Sequence, residues 1–174
     1  MVLDTLGTDD RLIGMIQPEL ATEEDTLTPP LFNTGCAGRI SSFMEADDDR
    51  LLIALTGVCR FDVREEVSSD RGYRRVIADW SRWEKDMQEE GEPVVSRPQL
   101  ESSLRQYFTQ HNITVDWEAI EKMPLRPLIT FLSMNLPFDP ADKQLLLEAQ
   151  DTIERAQLLI TLTDMGAAGD MTQH

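Results

Sequence analysis

The sequence predicts an α+β protein in which an antiparallel β module precedes a bundle of helices. Before residue 96, short apolar runs alternate with turn residues, which is the pattern of strands joined by loops. From Ser96 onward the apolar residues recur at helical spacing and capping residues appear. The predicted organisation is a β subdomain over 1–83, an acidic linker over 84–95, a helical subdomain over 96–166 and a disordered tail over 167–174.

The β subdomain is predicted from five runs that are apolar, or that alternate between apolar and polar residues, and that turn residues separate. These runs are Arg11–Gln17, Gly35–Glu45, Arg50–Arg60, Phe61–Glu66 and Tyr73–Trp80. Asp47–Asp49 forms a polar tip on which the second and third runs can close as a hairpin. Gly57 predicts a bulge or bend in the third run. The closed hairpin brings Cys36 near Cys59, and we expect both to be buried thiols.

The helical subdomain begins with a capping box, Ser96 with Gln99 three positions later. Apolar residues then repeat at helical spacing until His111–Asn112 ends the helix. Asp116 is predicted to cap a second, short helix over Trp117–Lys122.

Two prolines then interrupt the helical pattern, because Pro124 and Pro127 cannot continue a helical hydrogen-bond ladder. Leu128–Leu136 is apolar on nearly all sides, which predicts a buried central helix. Further helix starts are marked by a cap followed by proline and by a second capping box: Asp139–Pro140, and Asp151 with Glu154. Gly166 is predicted to end the last helix. The inward-facing residues of that helix are predicted to be Ile153, Ala156, Leu159, Ile160 and Leu162.

The charge and hydropathy of the chain exclude two classes of partner. Its 32 Asp and Glu residues exceed its 16 Lys and Arg residues, which gives a formal net charge of −16. Phosphates repel a chain this acidic, so we expect no nucleic-acid partner. The longest uninterrupted apolar run, Leu51–Leu55, is far shorter than the roughly 20 residues that cross a bilayer. With no signal peptide recognisable at the start, we expect a cytoplasmic protein.

The sequence contains no motif for a nucleotide, a dinucleotide, a zinc-protease site or a serine nucleophile elbow. We therefore nominate no catalytic, cofactor-binding or metal-binding residue and leave the substrate-binding residues open. His111 ends a helix and His174 ends the chain, so neither is held as a general base. The acidic tip Asp47–Asp49 lacks the spacing of an EF-hand calcium loop. Trp80 and Trp83 are expected to fill the gap between sheet and helices, or to contact a ligand.

Six stretches together resemble the N-terminal, substrate-recognition domain of the ATP-dependent protease Lon, in the form that occurs as a stand-alone protein. They are Arg11–Pro18, Gly35–Ile40, Leu55–Phe61, Tyr73–Val76, Asp116–Ile120 and Leu136–Gln144. The resemblance extends over residues 1–165, with the stretches in the order that the family has.

The resemblance implies a fold and a role. The fold would be a PUA-like antiparallel β pseudo-barrel followed by helices, and the role that of a docking surface for unfolded or tagged proteins. The ATPase and the serine–lysine protease centre belong to separate, later domains of the family. The family domain opens with two strands and a helix, and Met1–Gly7 matches only the end of that helix. We therefore expect an N-terminally incomplete barrel, from a start codon assigned too late or from a truncated gene.

The leading hypothesis is a non-catalytic module that binds unfolded or extended polypeptides, within a protease or chaperone system. The first alternative is an RNA-binding PUA-like protein. The only compact basic group in the sequence that could contact RNA is Arg71, Arg74 and Arg75. We expect these arginines to pair with Glu65 and Glu66 on a solvated strand face. The second alternative is a peptidase accessory protein.

Overall fold

The computed structural model describes the chain in six segments: residues 1–8, 10–19, 29–45, 50–69, 72–88 and 91–169. The chain forms two compact units, Met1–Glu89 and Glu90–His174, and each is described by itself.

The first unit holds all the strands of the described residues. Its elements are α1 (Val2–Leu6), β1 (Leu12–Met15), β2 (Thr34–Glu45), β3 (Leu51–Val67), β4 (Arg75–Asp79) and a 3-10 helix over Ser81–Met87. The strands form one antiparallel sheet in the order β1-β2-β3-β4. Each strand pairs with its neighbour in sequence, which is the usual outcome of short connections. The predicted antiparallel α+β fold is confirmed.

The hairpin of β2 and β3 is the main structure of this sheet. Its register runs from Thr34 opposite Asp62 to Glu45 opposite Leu51. The predicted tip, Asp47–Asp49, lies outside the described residues. The strand does not stop at residue 60 but continues to Val67, because the alternating run that follows keeps the same pleat.

A bulge lies at the glycine where one was predicted. Ala37 pairs with Cys59 and Gly38 pairs with Gly57, which leaves Val58 as the extra residue of β3. Across the same ladder Cys36 lies opposite Arg60. Because successive strand residues point to opposite faces, the two cysteines are neighbours in the ladder but on different faces of the sheet. Neither cysteine forms a disulfide, and only Cys59 is fully buried.

The 3-10 helix occupies the first part of the segment that was predicted as a linker. The pairing of β3 with β4 begins at Asp62, which leaves the edge of β3 uncovered at Arg60. Asp86 accepts hydrogen bonds from the backbone N–H of Arg60 at 3.0 Å and from its Nε at 2.7 Å. The Asp86 carboxylate thus satisfies a strand edge from within the segment predicted as a linker. The pKa of the Cys59 thiol is raised mainly by its burial and secondly by the charge of the Asp86 carboxylate.

Trp83 packs the 3-10 helix onto the sheet. Its side chain is buried, its Nε1 donates to Asp62 at 3.1 Å, and the Arg60 guanidinium lies 3.9 Å from the ring centroid. Trp80 is half-exposed and contacts Phe61 with tilted rings at a centroid distance of 5.3 Å.

The second unit consists of five helices among the described residues. They are α2 (Arg97–Gln110), α3 (Trp117–Lys122), α4 (Leu125–Asn135), α5 (Pro140–Glu148) and α6 (Thr152–Gly169). Three predicted caps form. Each capping side chain accepts a hydrogen bond from the backbone N–H of the residue three positions later: Ser96 at 3.4 Å, Asp116 at 3.1 Å and Asp151 at 2.8 Å. Asp139 lies at the N-cap of α5 but makes no capping hydrogen bond with its side chain.

Two expectations for the helices are corrected. The central helix, α4, begins at Leu125 because Pro127 is tolerated in its first turn, and it is not buried all round. Phe131 and Met134 are 50% and 69% exposed. The last helix, α6, continues through Gly166 to residue 169, since its packing on the neighbouring helix outweighs the low helical propensity of glycine.

The core of this unit is built from α2, α4 and α6. It includes the fully buried side chains Leu100, Leu104, Leu128, Ile129, Ala156 and Leu159. Ile153, in the first turn of α6, was predicted to face inward but is 38% exposed. None of the helices in the described part of the chain is both long and apolar enough to cross a membrane.

Candidate functional site

The two outer strands of the sheet line one groove. In the strand order β1 and β4 stand at opposite ends, yet residues of both strands border a cavity of about 450 Å³. In a flat sheet they would be about 14 Å apart, since neighbouring strands are spaced by about 4.8 Å. That residues of both outer strands border one cavity indicates that the sheet is curved. We call this cavity the edge groove.

The edge groove has an apolar lining with polar residues at one end. Its apolar residues are Met1, Leu12, Ile13, Ile16, Leu31 and Val76, and its other residues are Thr5, Gly14, Tyr73, Arg74 and Arg75. Leu12 is 38% exposed, and Ile16, Leu31 and Val76 are partly buried. The described residues therefore leave part of this apolar surface uncovered.

Both strands that border the groove have an unpaired backbone edge in the described part of the chain, since each pairs with one neighbour only. The N–H of Ile40 donates to the carbonyl of Arg11 at 2.9 Å. Antiparallel strands direct alternate residues toward the partner, so the N–H and C=O groups of Leu12 and Gly14 point away from β2. Because Leu12 and Gly14 line the groove, the unpaired backbone edge of β1 borders the groove.

Close packing beneath β1 supports the groove. A Cβ at Gly14 would lie 3.1 Å from Cζ of Phe61, which is almost fully buried. At Gly35, on the neighbouring strand, a Cβ would lie 2.8 Å from the same atom and 2.8 Å from the carbonyl oxygen of Met15. Glycine at these positions lets the phenyl ring sit against the strands and leaves the backbone of β1 uncovered.

The polar end of the groove holds two arginines with different surroundings. Arg74 donates from Nε to Glu66 at 2.6 Å and also binds the carbonyl of Pro29, and it lowers the pKa of Glu66. The predicted pairing of the arginines with the Glu65–Glu66 face is thereby confirmed for Arg74. Arg75 is exposed and makes no ion pair with any described residue. Arg71 lies outside the described residues.

A second apolar surface lies on the far part of the β2–β3 hairpin. The pairing of β1 with β2 ends at Arg39, and β4 begins its pairing at Asp62, so neither strand flanks this part of the hairpin. Phe43, Met44 and Leu52 are 53%, 63% and 58% exposed there. Neighbouring strand residues point to opposite faces, so Phe43 and Met44 present apolar surface on both faces of the hairpin.

The residues considered for chemistry are not brought together. His111 ends α2 and stacks on Tyr107 at a centroid distance of 4.3 Å. The described residues include no group of three or more His, Cys, Asp or Glu side chains arranged to hold a metal ion. His174 and Asp47–Asp49 lie outside those residues. Every buried side-chain nitrogen or oxygen in the described segments has a hydrogen-bond partner.

The sequence analysis did not nominate the edge groove. Leu12, Ile16 and Val76 were identified as strand residues, but strand patterns do not show whether a sheet curls or which edges then meet. The one available signal was the mixture of short strands and glycines, Gly14 and Gly35 among them, that strongly curved sheets use.

A comparison with protein families decides what the chain is. The family model for the ATP-dependent protease La (LON) substrate-binding domain matches residues 1–164. The chain belongs to this family. The predicted resemblance, which extends over residues 1–165, is confirmed.

Two relatives place this LON-family chain among known proteins. It is 27% identical over 157 residues to a Lon protease of Cytophaga hutchinsonii, a match that takes in 89% of this chain and 19% of that protein. The chain therefore spans about a fifth of the length of that relative. Its fold matches the crystal structure of a Lon N-terminal domain protein from Xanthomonas campestris, with a TM-score of 0.51, 16% identity, and coverage of 87% of this chain and 89% of that one.

Proposed function

We propose that this LON-family chain is a non-catalytic module that binds extended polypeptide segments by strand addition in the edge groove. The observation that supports this most directly is that two unpaired strand edges border one apolar groove. In strand addition, backbone hydrogen bonds supply affinity and pockets for alternate side chains supply specificity. The family description, a substrate-binding domain of an ATP-dependent protease, supports a polypeptide as the ligand and a protease system as the setting.

The energetics favour weak and broad binding. Leu12 and Gly14 offer four backbone groups, and each hydrogen bond contributes about 0.5–1.5 kcal/mol net. The sum of about 2–6 kcal/mol is similar to the lower range of the association cost, about 4–15 kcal/mol. Apolar contacts with Leu12, Ile16 and Val76 must therefore supply the surplus. We expect dissociation constants in the micromolar range or weaker, as suits a protein that recognises many unfolded chains.

We place the protein in the cytoplasm and assign it recognition, with hydrolysis left to a partner protease. Cys36 and Cys59 form no disulfide, which suits a reducing compartment. The RNA-binding alternative depends on the basic group Arg71, Arg74 and Arg75. Its support is reduced because Glu66 neutralises Arg74.

The backbone mode of binding can be tested with the ligand alone. Fluorescence anisotropy would follow a labelled peptide of alternating valine and threonine, together with two versions N-methylated at alternate residues. In the proposed mode the peptide pairs with β1 alone, through one of its own edges, so one N-methylated version should lose binding and the version shifted by one residue should keep it. Equal binding by both versions would contradict strand addition.

The place of binding can be tested with a matched pair of variants. Leu12→Asp puts a charge into the apolar lining and should abolish binding. Ile77→Asp makes the same change at an apolar position of β4 that is 45% exposed and does not line the groove, so it should bind as the unaltered protein does. Circular dichroism of both variants serves as the control for folding. Loss of binding in both variants, or in neither, would refute the edge groove as the site.

A further inference from the structure

We infer that residues 51–57 of β3 pair with the same residues of a second copy of this chain, so that two copies share one antiparallel sheet. We call the free side of this stretch the distal edge. The residues that line the edge groove do not include any of residues 51–57. The inference therefore goes beyond the proposed function and does not depend on it.

The backbone groups of four residues point outward at the distal edge. The N–H of Ile40 donates to Arg11, on the side of β1, and Ile40 lies opposite Leu55 in the ladder. Residues directly opposite in an antiparallel pair either both face each other or both face away, so the N–H and C=O of Leu55 point away from β2. The same direction applies, by alternation, to Leu51, Ile53 and Gly57. Within the described part of the chain, these outward groups have no hydrogen-bond partner.

The distal edge differs from the two outer edges of the sheet. Proteins commonly prevent sheet edges from pairing by keeping the edge strand short or by placing charge, proline or a bulge on it. β1 is only four residues long, and β4 has Arg75 at one end and Asp79 at the other. In β3, no charged residue and no proline occurs between Arg50 and Arg60, and the bulge residue Val58 lies just beyond the distal edge. This edge is therefore free to form a stable pair with another strand.

The distal edge is complementary to itself about a two-fold axis at Ala54. In that register, Leu51 lies opposite Gly57 of the second copy, and Ile53 lies opposite Leu55 of the second copy. All four outward residues of each chain then meet outward residues of the other chain, which gives about eight backbone hydrogen bonds. A two-fold axis closes the assembly at two chains.

Charge and preorganisation favour a second copy as the occupant. Two chains that each carry a charge of −16 repel each other unless they meet at an uncharged surface, and the distal edge is such a surface. The two Arg50 side chains stand at opposite ends of the paired stretch, and Leu52, which is 58% exposed, lies beside Thr56 of the second copy. The second copy presents an edge that is already a strand, whereas a flexible peptide must be ordered when it binds.

The experiment uses Ala54, because a residue at the two-fold axis meets its own copy. Ala54 is exposed and its backbone groups face β2, so a long side chain is accommodated there. Sedimentation velocity of the unaltered chain over a concentration series should show a dimer that tightens as salt screens the net charge. Ala54→Lys and Ala54→Glu each place like charges opposite each other, and each should raise the dimer dissociation constant about tenfold or more. An equimolar mixture of the two variants should restore the dimer.

Ser42→Lys is the matched control. Ser42 is exposed and lies opposite Ala54 on β2, one strand further from the second copy. The variant adds the same charge to the same face of the hairpin. At about 0.15 M salt, where the screening length is about 8 Å, it should change the dimer dissociation constant less than about twofold.

Each contrary outcome overturns a stated part of the inference. A monomer at every concentration would overturn it entirely, and a dimer that both Ala54 variants retain would exclude the distal edge. A mixture that fails to restore the dimer would exclude the two-fold register at Ala54.

Other occupants of the distal edge give their own results, and each would overturn the second copy. A labelled peptide with the sequence of residues 51–57 that binds a chain which itself stays monomeric would assign the edge to extended polypeptides. A monomer formed by a chain extended upstream of Met1 would assign it to a strand of the same chain. The peptide assays on the edge groove succeed or fail independently of all these results.

Discussion

The buried ion pair of Arg60 and Asp86 allows a decisive test of what stabilises the first unit. The side chain of Arg60 is 8% exposed and that of Asp86 is 18% exposed, with Nη2 and Oδ1 2.6 Å apart. The carboxylate also accepts from the backbone N–H and from Nε of Arg60. Asp86→Ala therefore removes every one of these acceptors at once and leaves a buried guanidinium and a strand N–H without them.

Breaking a buried pair by removing one partner costs about 3–5 kcal/mol. The 18% exposure of Asp86 lets water reach part of the site, so we expect a loss at the lower end, about 3 kcal/mol. In the double variant Arg60→Met with Asp86→Ala, no charge is left buried, and the methionine can still pack on the ring of Trp83. This double variant should recover a large share of the loss.

The assay must report the first unit alone. In a Trp117→Phe background the two remaining tryptophans, Trp80 and Trp83, both belong to that unit, and urea unfolding followed by their fluorescence measures its stability. Glu66→Gln, which weakens a similar but exposed pair with Arg74, is the matched control and should change the unfolding free energy much less. If Asp86→Ala destabilises the unit no more than this control, the argument from burial is refuted.

Three further predictions test packing and electrostatics elsewhere. Gly35→Ala should destabilise the first unit by about 1–3 kcal/mol, because its Cβ would meet a backbone oxygen at 2.8 Å, whereas Gly57→Ala, with its nearest contact at 3.8 Å, should have little effect in urea unfolding. Gly166→Ala should lower the melting temperature of the helical unit, since its Cβ would lie 2.6 Å from Tyr107 Cε2; a rise, as the helical propensity of alanine alone predicts, would contradict this. Hydrogen bonds from Ser81 lower the pKa of Asp79. The ionised Asp79 carboxylate therefore stabilises the fold above the ordinary carboxyl pKa, and this stabilisation is lost as the pH falls through the lowered pKa. An NMR titration of that carboxyl with a midpoint at or above its ordinary value would rule this out.

The limits of sequence reasoning are clearest in the helical unit. Ser96 and Asp116 cap the helices that were predicted to follow them, because a cap depends on residues three positions away. The predicted end at Gly166 is wrong because the helix continues where the glycine permits close contact with Tyr107, a residue 59 positions earlier in the chain. A contact of this kind leaves no trace in local periodicity.

The same distinction applies to the β unit and to its candidate site. The sequence by itself determined the strands, the antiparallel hairpin and the bulge at Gly57, since alternation and turn residues act over a few positions. It also carried the family resemblance. Only the tertiary structure decided that β1 and β4 border one groove and that Asp86 pairs with Arg60. These features depend on contacts between residues far apart in sequence, which local patterns do not show.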